Sequence, residues 1–229
     1  MTGATKLGVK AVMIDLDGTL LDTALDIGVA ANAMLLELGR PECAVSQIRT
    51  YIGRGIPNLV KRCLAGCLDA ADDPNPPPEA ALASFRQHYA ATNGRHATIY
   101  PGVEDGLRRL QEQGLRLACI TNKATDFTLP LLAGSGLAHW FELVVCGDTL
   151  TRSKPDPLQL THICQKFGIA RHQALLIGDS LNDVRAARAA GCPVFCVPYG
   201  YNEGRDVRDL DCDAIVASID DAASRVVAV

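Results

Sequence analysis

The chain has 229 residues, nearly half of them apolar, which suits one large domain, or one domain carrying an insertion, built on a sizeable core. A net charge of −4 argues against non-specific nucleic-acid binding as the main task, although a cleft can still hold a small anion. The first residues have no signal-peptide layout and no stretch nears the ~20 apolar residues of a membrane span, so a cytoplasmic protein without membrane partners is expected.

The first predicted strand is GVKAVMID, residues 8–15, apolar at most positions as in strands buried on both faces. From residue 22 to about 95 the pattern is helical, in ALDIGVAANAMLLELG, IPNLVKRCLAGCL and PEAALASFRQHYAATNG. No convincing strand interrupts it. The Pro-rich break DDPNPPPEA between the last two reads as a surface loop. A helix over 102–114 follows, with Val103, Leu107 and Leu110 on one face and Gly114 as its stop. Strands are predicted at 115–121 and 143–148, then a helix at 156–168 ending in Gly168. A strand at 174–179, a helix at 181–191 ending in Gly191, and strands at 193–199 and 214–218 complete the series. Strands alternating with helices mean an α/β protein: a Rossmann-like parallel sheet with helices on both faces. The stretch 22–95 is too long for one crossover and is expected to form an all-helical cap domain. Residues 1–21 and 96–229 are then the core.

Ligands of open parallel sheets sit outside the carboxyl ends of the strands. The first strand ends in Asp15-Leu16-Asp17-Gly18-Thr19, and the second in Thr121-Asn122-Lys123. After the third comes Lys154-Pro155, and after the fourth Gly178-Asp179-Ser180, with Asp183 one helical turn on. Four acids meeting one lysine repel each other unless a cation joins them. A hard divalent ion such as Mg²⁺ fits carboxylates and keeps room for a phosphate. A carboxylate shielded in this way can attack phosphorus, a lysine and hydroxyls can neutralise the non-bridging oxygens, and a second acid can protonate the leaving oxygen.

D-x-D-G-T after a strand, Thr at the second strand end, Lys-Pro, and then GDSLND resemble the haloacid dehalogenase superfamily, in order and over the whole chain. The resemblance implies that Asp15 is the nucleophile and Asp17 the general acid/base. It further implies that Thr121, Asn122 and Lys154 hold the phosphoryl group. Asp15, Asp179 and Asp17 (through its backbone carbonyl) would ligate Mg²⁺, with Asp183 orienting their shell. Dehalogenases of the superfamily lack the second acid, so the chain is similar to its phosphatases. YIGRGIPNLVKR, YPGVEDGLRRL, ITNKATDFTLPLL, KPDPLQL and YGYNEG resemble the bacterial phosphoglycolate phosphatases among them. That implies hydrolysis of a small phosphorylated metabolite by a monomer or homodimer. Two readings of Arg54 stand open: a cap residue pairing with the substrate carboxylate, or a solvent-facing arginine in a hinge loop.

Other polar groups have plainer readings. Asp22 and Asp26 suit a hinge and a helix start, where Asp caps well. Lys123 lies near the site or in solvent, and Asp156 fixes a turn. The five histidines show no ligand spacing. Nine cysteines, with no C-x-x-C pair, read as buried hydrophobes and spare thiols. A receiver module of phospho-signalling would be about half as long and have no helical insertion. An idle scaffold of the same fold should have lost an acid or the lysine. Phosphosugar mutases of the β-phosphoglucomutase type, pyrophosphatases and broad phosphatases share the core chemistry, and the cap decides between them. A phosphonoacetaldehyde hydrolase would need a Schiff-base lysine in the cap, where Lys61 is the one lysine.

Overall fold

The apolar runs do become strands in the computed structural model, which describes residues 6–72 and 75–229. In chain order the elements are β1 (Leu7–Val9), β2 (Ala11–Ile14), β3 (Leu21–Asp22), α1 (Ala24–Glu37), α2 (Val45–Tyr51), α3 (Gly55–Ala65) and α4 (Glu79–Thr92). Next come β4 (Thr98–Ile99), α5 (Val103–Glu112), β5 (Arg116–Ile120), α6 (Thr125–Gly134), β6 (Leu143–Val145) and α7 (Leu158–Phe167). The chain closes with β7 (Ala174–Gly178), α8 (Leu181–Ala190), β8 (Val194–Cys196), β9 (Ala214–Ile215), α9 (Ile219–Ser224) and β10 (Val226–Ala228).

Six strands form one sheet in the order β6-β5-β2-β7-β8-β9, all parallel. Side chains alternate between its faces with the strand period of two. Val12, Ile14, Leu117, Cys119, Leu175 and Ile177 pack with α5 and α9, whereas Ala11, Met13, Ala118, Ile120 and Leu176 pack with α7 and α8. Both faces are buried, which is why these strands are apolar throughout. The first predicted strand is divided in the structure: Lys10 is a bend, and β1 pairs with β10 in a separate two-stranded sheet. The backbone N–H of Lys10 is spent on Gln173, so the ladder restarts on the other side of it.

The chain leaves the sheet through β3 and returns through β4, an antiparallel ribbon with Leu21 opposite Ile99 and Asp22 opposite Thr98. Between them, among the described residues, lie four α-helices with their own core of Ile27, Met34, Ile48, Leu59, Val60, Phe85 and Tyr89. Helix α2 had no counterpart among the sequence expectations: it is seven residues long, too short to show a helical period. Phe127 of α6 and Tyr201, beyond β8, join this core from the sheet side and so fix how the helices sit over the strand ends. Among the described residues no helix is long and apolar enough to cross a membrane, and all nine cysteines are unpaired.

Candidate active site

Strand order reverses at β2, whose neighbours are β5 on one side and β7 on the other. The crevice at such a point opens beyond the carboxyl ends of the strands. β2 ends at Ile14, so Asp15 emerges there, and the backbone N–H of Asp15 still bonds to Ile177 of β7. The chain must then turn at once. Gly18 has φ +88°, a backbone that favours glycine, and a Cβ there would strike the Asp179 carboxylate. The carbonyl of Leu16 accepts from the N–H groups of Leu20 and Leu21, each at 3.0 Å, which closes the loop and launches the ribbon.

Lys154 is buried at the centre of the acids. Its Nζ lies 2.8 Å from Asp15 Oδ1 and 2.7 Å from Asp183 Oδ1, and donates to the Ile120 carbonyl at 3.1 Å. Asp183 has no exposed surface, and its other oxygen accepts from the backbone N–H and the hydroxyl of Ser180, at 3.1 and 2.5 Å. This is the N-terminal turn of α8, so one acid both caps a helix and anchors the lysine. Asp179 accepts from the Thr19 hydroxyl at 3.1 Å and from the backbone N–H of Tyr201.

Asp15, Asp179 and Asp183 each offer an oxygen, and these atoms lie within 4.8 Å of one another. Burial pushes the Asp15 carboxyl up to about 7; Lys154 opposes the shift and Asp183 adds to it. Burial first, then the charges of Asp15 and Asp183, hold Asp179 well above the carboxylate range. Three buried carboxylates sharing one ammonium leave surplus negative charge. An oxygen donor set of that charge fits a hard divalent cation. The Asp17 side chain lies outside this group.

Asp17 faces a different set. Its Oδ1 accepts from the Thr23 hydroxyl at 2.7 Å, and Lys123 Nζ lies 3.0 and 3.2 Å from its two oxygens. Lys123 also donates to the hydroxyl of Tyr89, which α4 brings in from the helical layer. Burial works against the charge on Lys123, but Asp17 and then Tyr89 outweigh it and raise its pKa. The ribbon strand supports the arrangement: the Tyr201 hydroxyl accepts from the N–H groups of Thr23 and Ala24, at 2.7 and 3.0 Å, and donates to Asp22 at 2.6 Å.

Asp15, Asp17, Thr121, Asn122, Lys123, Lys154, Ser180 and Asn182 line the sheet side of a cleft with about 560 Å³ of empty space. Its other wall is Ile27, Ile52, Gly53, Gly55, Ile56, Leu59, Phe85 and Tyr89. The Thr121 hydroxyl accepts from the Lys123 N–H at 3.1 Å and keeps its own hydrogen. Asn122 donates from Nδ2 to the carbonyls of Gly53 and Lys154, at 2.9 and 2.7 Å, and so ties the helical layer to the sheet. Arg54 is not a wall residue. Its Nε lies 3.1 Å from Glu203 and its Nη1 3.3 Å from Asp72. Glu203 follows Tyr201 and Asn202 in the loop after β8 and also takes the buried Arg62.

Asp22 acts as expected, accepting from Ala24 at the start of α1, and it also pairs with Arg49 at 3.1 Å. Asp26 does more than begin a helix: it is buried and receives the backbone N–H groups of Gly94 and His96, at 2.8 and 2.9 Å. Lys123 is the group whose place the sequence left open. A signal existed, since it stands two residues after Thr121 at a strand end. Tyr89 had none, because an aromatic on an amphipathic helix reads as core.

Residues 12–197 match the model of a family described as haloacid dehalogenase-like hydrolase. A phosphoglycolate phosphatase of Thiobacillus denitrificans is 56% identical over 220 residues, which cover 96% of each chain. One from Nitrosospira multiformis is 54% identical over 220 residues, again 96% of each. Among solved structures, one described as a predicted phosphoglycolate phosphatase from Haemophilus somnus superposes with a TM-score of 0.85 at 31% identity, covering 94% of this chain and 97% of that one.

Proposed function

Because the chain belongs to the haloacid dehalogenase-like hydrolases, we propose that it is a Mg²⁺-dependent phosphatase that converts 2-phosphoglycolate to glycolate and phosphate in the cytoplasm. The observation that carries the reaction type is the pair of acids at one strand end: Asp15 beside Lys154, and Asp17 in the same cleft but outside the metal-type cluster. The substrate reading is supported by near-full-length relatives that bear that name.

Asp15 and Asp179 are the side chains that would hold Mg²⁺, together with the Asp17 carbonyl, and Asp183, bonded to Lys154 and Ser180, would orient them. Bound there, the ion would screen Asp15 from the charge of the phosphate and polarise a non-bridging oxygen. The Asp15 oxygen attacks phosphorus, forming an aspartyl phosphate as the bond from phosphorus to the glycolate oxygen breaks. Asp17 gives that oxygen its proton. Asp17 then takes a proton from water, whose oxygen attacks phosphorus and frees Asp15. Lys154 and the Thr121 hydroxyl meet the non-bridging oxygens. Asn122 supports the floor of the cleft through its bonds to Gly53 and Lys154. Residues 22–95 act as a cap that shields this chemistry from bulk water.

Initial rates over phosphoglycolate, hexose phosphates, pyrophosphate and nucleotides, with Mg²⁺ present, test the reading. Phosphoglycolate should give the highest kcat/KM. A clear preference for a hexose phosphate or pyrophosphate would overturn the substrate, and no hydrolysis of any of them would overturn the activity.

A further inference from the structure

The cap wall of the cleft is apolar apart from Tyr89 and the backbone at Gly53 and Gly55. A phosphoglycolate carboxylate cannot be left without a partner there, because a desolvated anion is costly unless it is paired. Among the described residues, the cationic side chains lining the cleft are Lys123 and Lys154. Lys154 sits between Asp15 and Asp183, on the side where phosphate binds and away from the leaving group. Arg54, whose charge made it a candidate, pairs with Glu203 and Asp72. Arg62 is buried against Glu203 and two backbone carbonyls.

Lys123 differs in place and in partners. It lies beside Asp17, the acid that faces the leaving oxygen, and therefore on the leaving-group side of the cleft. Its Nζ meets both oxygens of the Asp17 carboxylate, at 3.0 and 3.2 Å, and the Tyr89 hydroxyl. The two oxygens belong to one carboxylate and can share a single N–H, so of three donors one is left for a ligand in the space Lys123 lines. The Tyr89 hydroxyl accepts from Lys123 and keeps its own hydrogen to give to an anion. In phosphoglycolate the carboxylate is one methylene away from the leaving oxygen, so an acid that reaches that oxygen has its own counter-ion within reach of the carboxylate.

Resting on the proposed function above, we infer that Lys123 and Tyr89 bind the carboxylate of the leaving group, one from the strand end and one from the cap, and select phosphoglycolate over phosphomonoesters whose leaving group is uncharged. The pairing also explains how a cap with an apolar wall can favour an anionic substrate.

The test compares 2-phosphoglycolate with 2-hydroxyethyl phosphate, which keeps the two carbons and the phosphate but replaces the carboxylate with a neutral hydroxymethyl group. Lys123→Met should lower kcat/KM for phosphoglycolate by about thirtyfold or more, mainly through KM, the scale of a lost charge-assisted hydrogen bond. Hydroxyethyl phosphate should lose activity as well, because Asp17 loses its counter-ion, but by at least about fivefold less than phosphoglycolate. Tyr89→Phe, which removes only a hydroxyl, should cost phosphoglycolate about fivefold and spare hydroxyethyl phosphate. Equal losses on both substrates would overturn the inference and leave Lys123 as a support for Asp17. An unchanged preference in both variants would overturn it as well. If Lys123→Met does not fold, Tyr89→Phe decides by the same criterion. The wild-type rates separate the two layers: a wild type that does not prefer phosphoglycolate sinks the proposed substrate itself, whereas a preference that survives both substitutions sinks only this assignment.

Discussion

Glu203→Ala removes the counter-charge of the most deeply buried guanidinium among the described residues. Arg62 is 1% exposed, and its Nη2 lies 2.5 Å from Glu203 Oε1. Breaking a buried pair by deleting one partner costs about 3–5 kcal/mol, because the other charge is left uncompensated. Two features place this case at the low end. Arg62 keeps its bonds to the carbonyls of Leu68 and Tyr51, each at 3.0 Å, and the Glu203 side chain retains 10% exposure. The expected loss is therefore about 3 kcal/mol, or a fall in Tm of about 6–12 °C for a chain of this size. Alanine is the right substitution. Glu203 has φ +52°, so glycine would relieve backbone strain and mask part of the loss. The control is Arg152→Ala, which breaks a pair with Asp156 where Arg152 is 67% exposed and which should cost about 0–1 kcal/mol. Urea denaturation of wild type, Glu203→Ala, Arg62→Met and the double variant measures both the loss and the coupling. A loss in Glu203→Ala no larger than in Arg152→Ala, or a coupling near zero, would refute the view that the loop after β8 clamps α3.

Asp15→Asn should fold and lose turnover, measured by phosphate release, because an amide oxygen is too weak a nucleophile to form the aspartyl phosphate. EDTA should abolish activity and Mg²⁺ restore it, with Asp179→Ala raising the Mg²⁺ concentration needed for half-maximal rate; full activity of the chelated protein would undo the metal reading. Burial raises the Asp15 carboxyl to about 7 without metal, so its proton must leave before a cation binds. Apparent Mg²⁺ affinity, measured by calorimetry, should thus fall as pH drops below about 7 and level off above it. The same raised pKa means that the metal-free folded state holds protons the unfolded chain has lost, so metal-free stability should decline as pH climbs from the ordinary carboxylate range toward 7. Arg54→Ala should alter KM for phosphoglycolate and p-nitrophenyl phosphate alike and by less than about threefold, since its partners are Glu203 and Asp72; a selective loss on phosphoglycolate would return it to the carboxylate.

The amino-acid sequence by itself determined the parallel sheet and the acids at its strand ends. Both are local properties: short apolar runs such as AVMI and ALLIG, alternating along the chain with helical patterns, read as strands buried on two faces, and Asp15 and Asp179 directly follow them. Tertiary structure decided which polar group meets which. Lys123 reaches Asp17 across 106 residues and Tyr89 across 34, and Arg62 finds Glu203 across 141. No periodicity encodes such pairings, because they depend on how the helical layer sits over the sheet. The same reason gave Arg54, for which two readings stood open, its partners Glu203 and Asp72, and brought Asp183 beside Asp15 and Asp179. The division of the first strand at Lys10 followed from β10, which has to fold back from the far end of the chain before β1 has a partner.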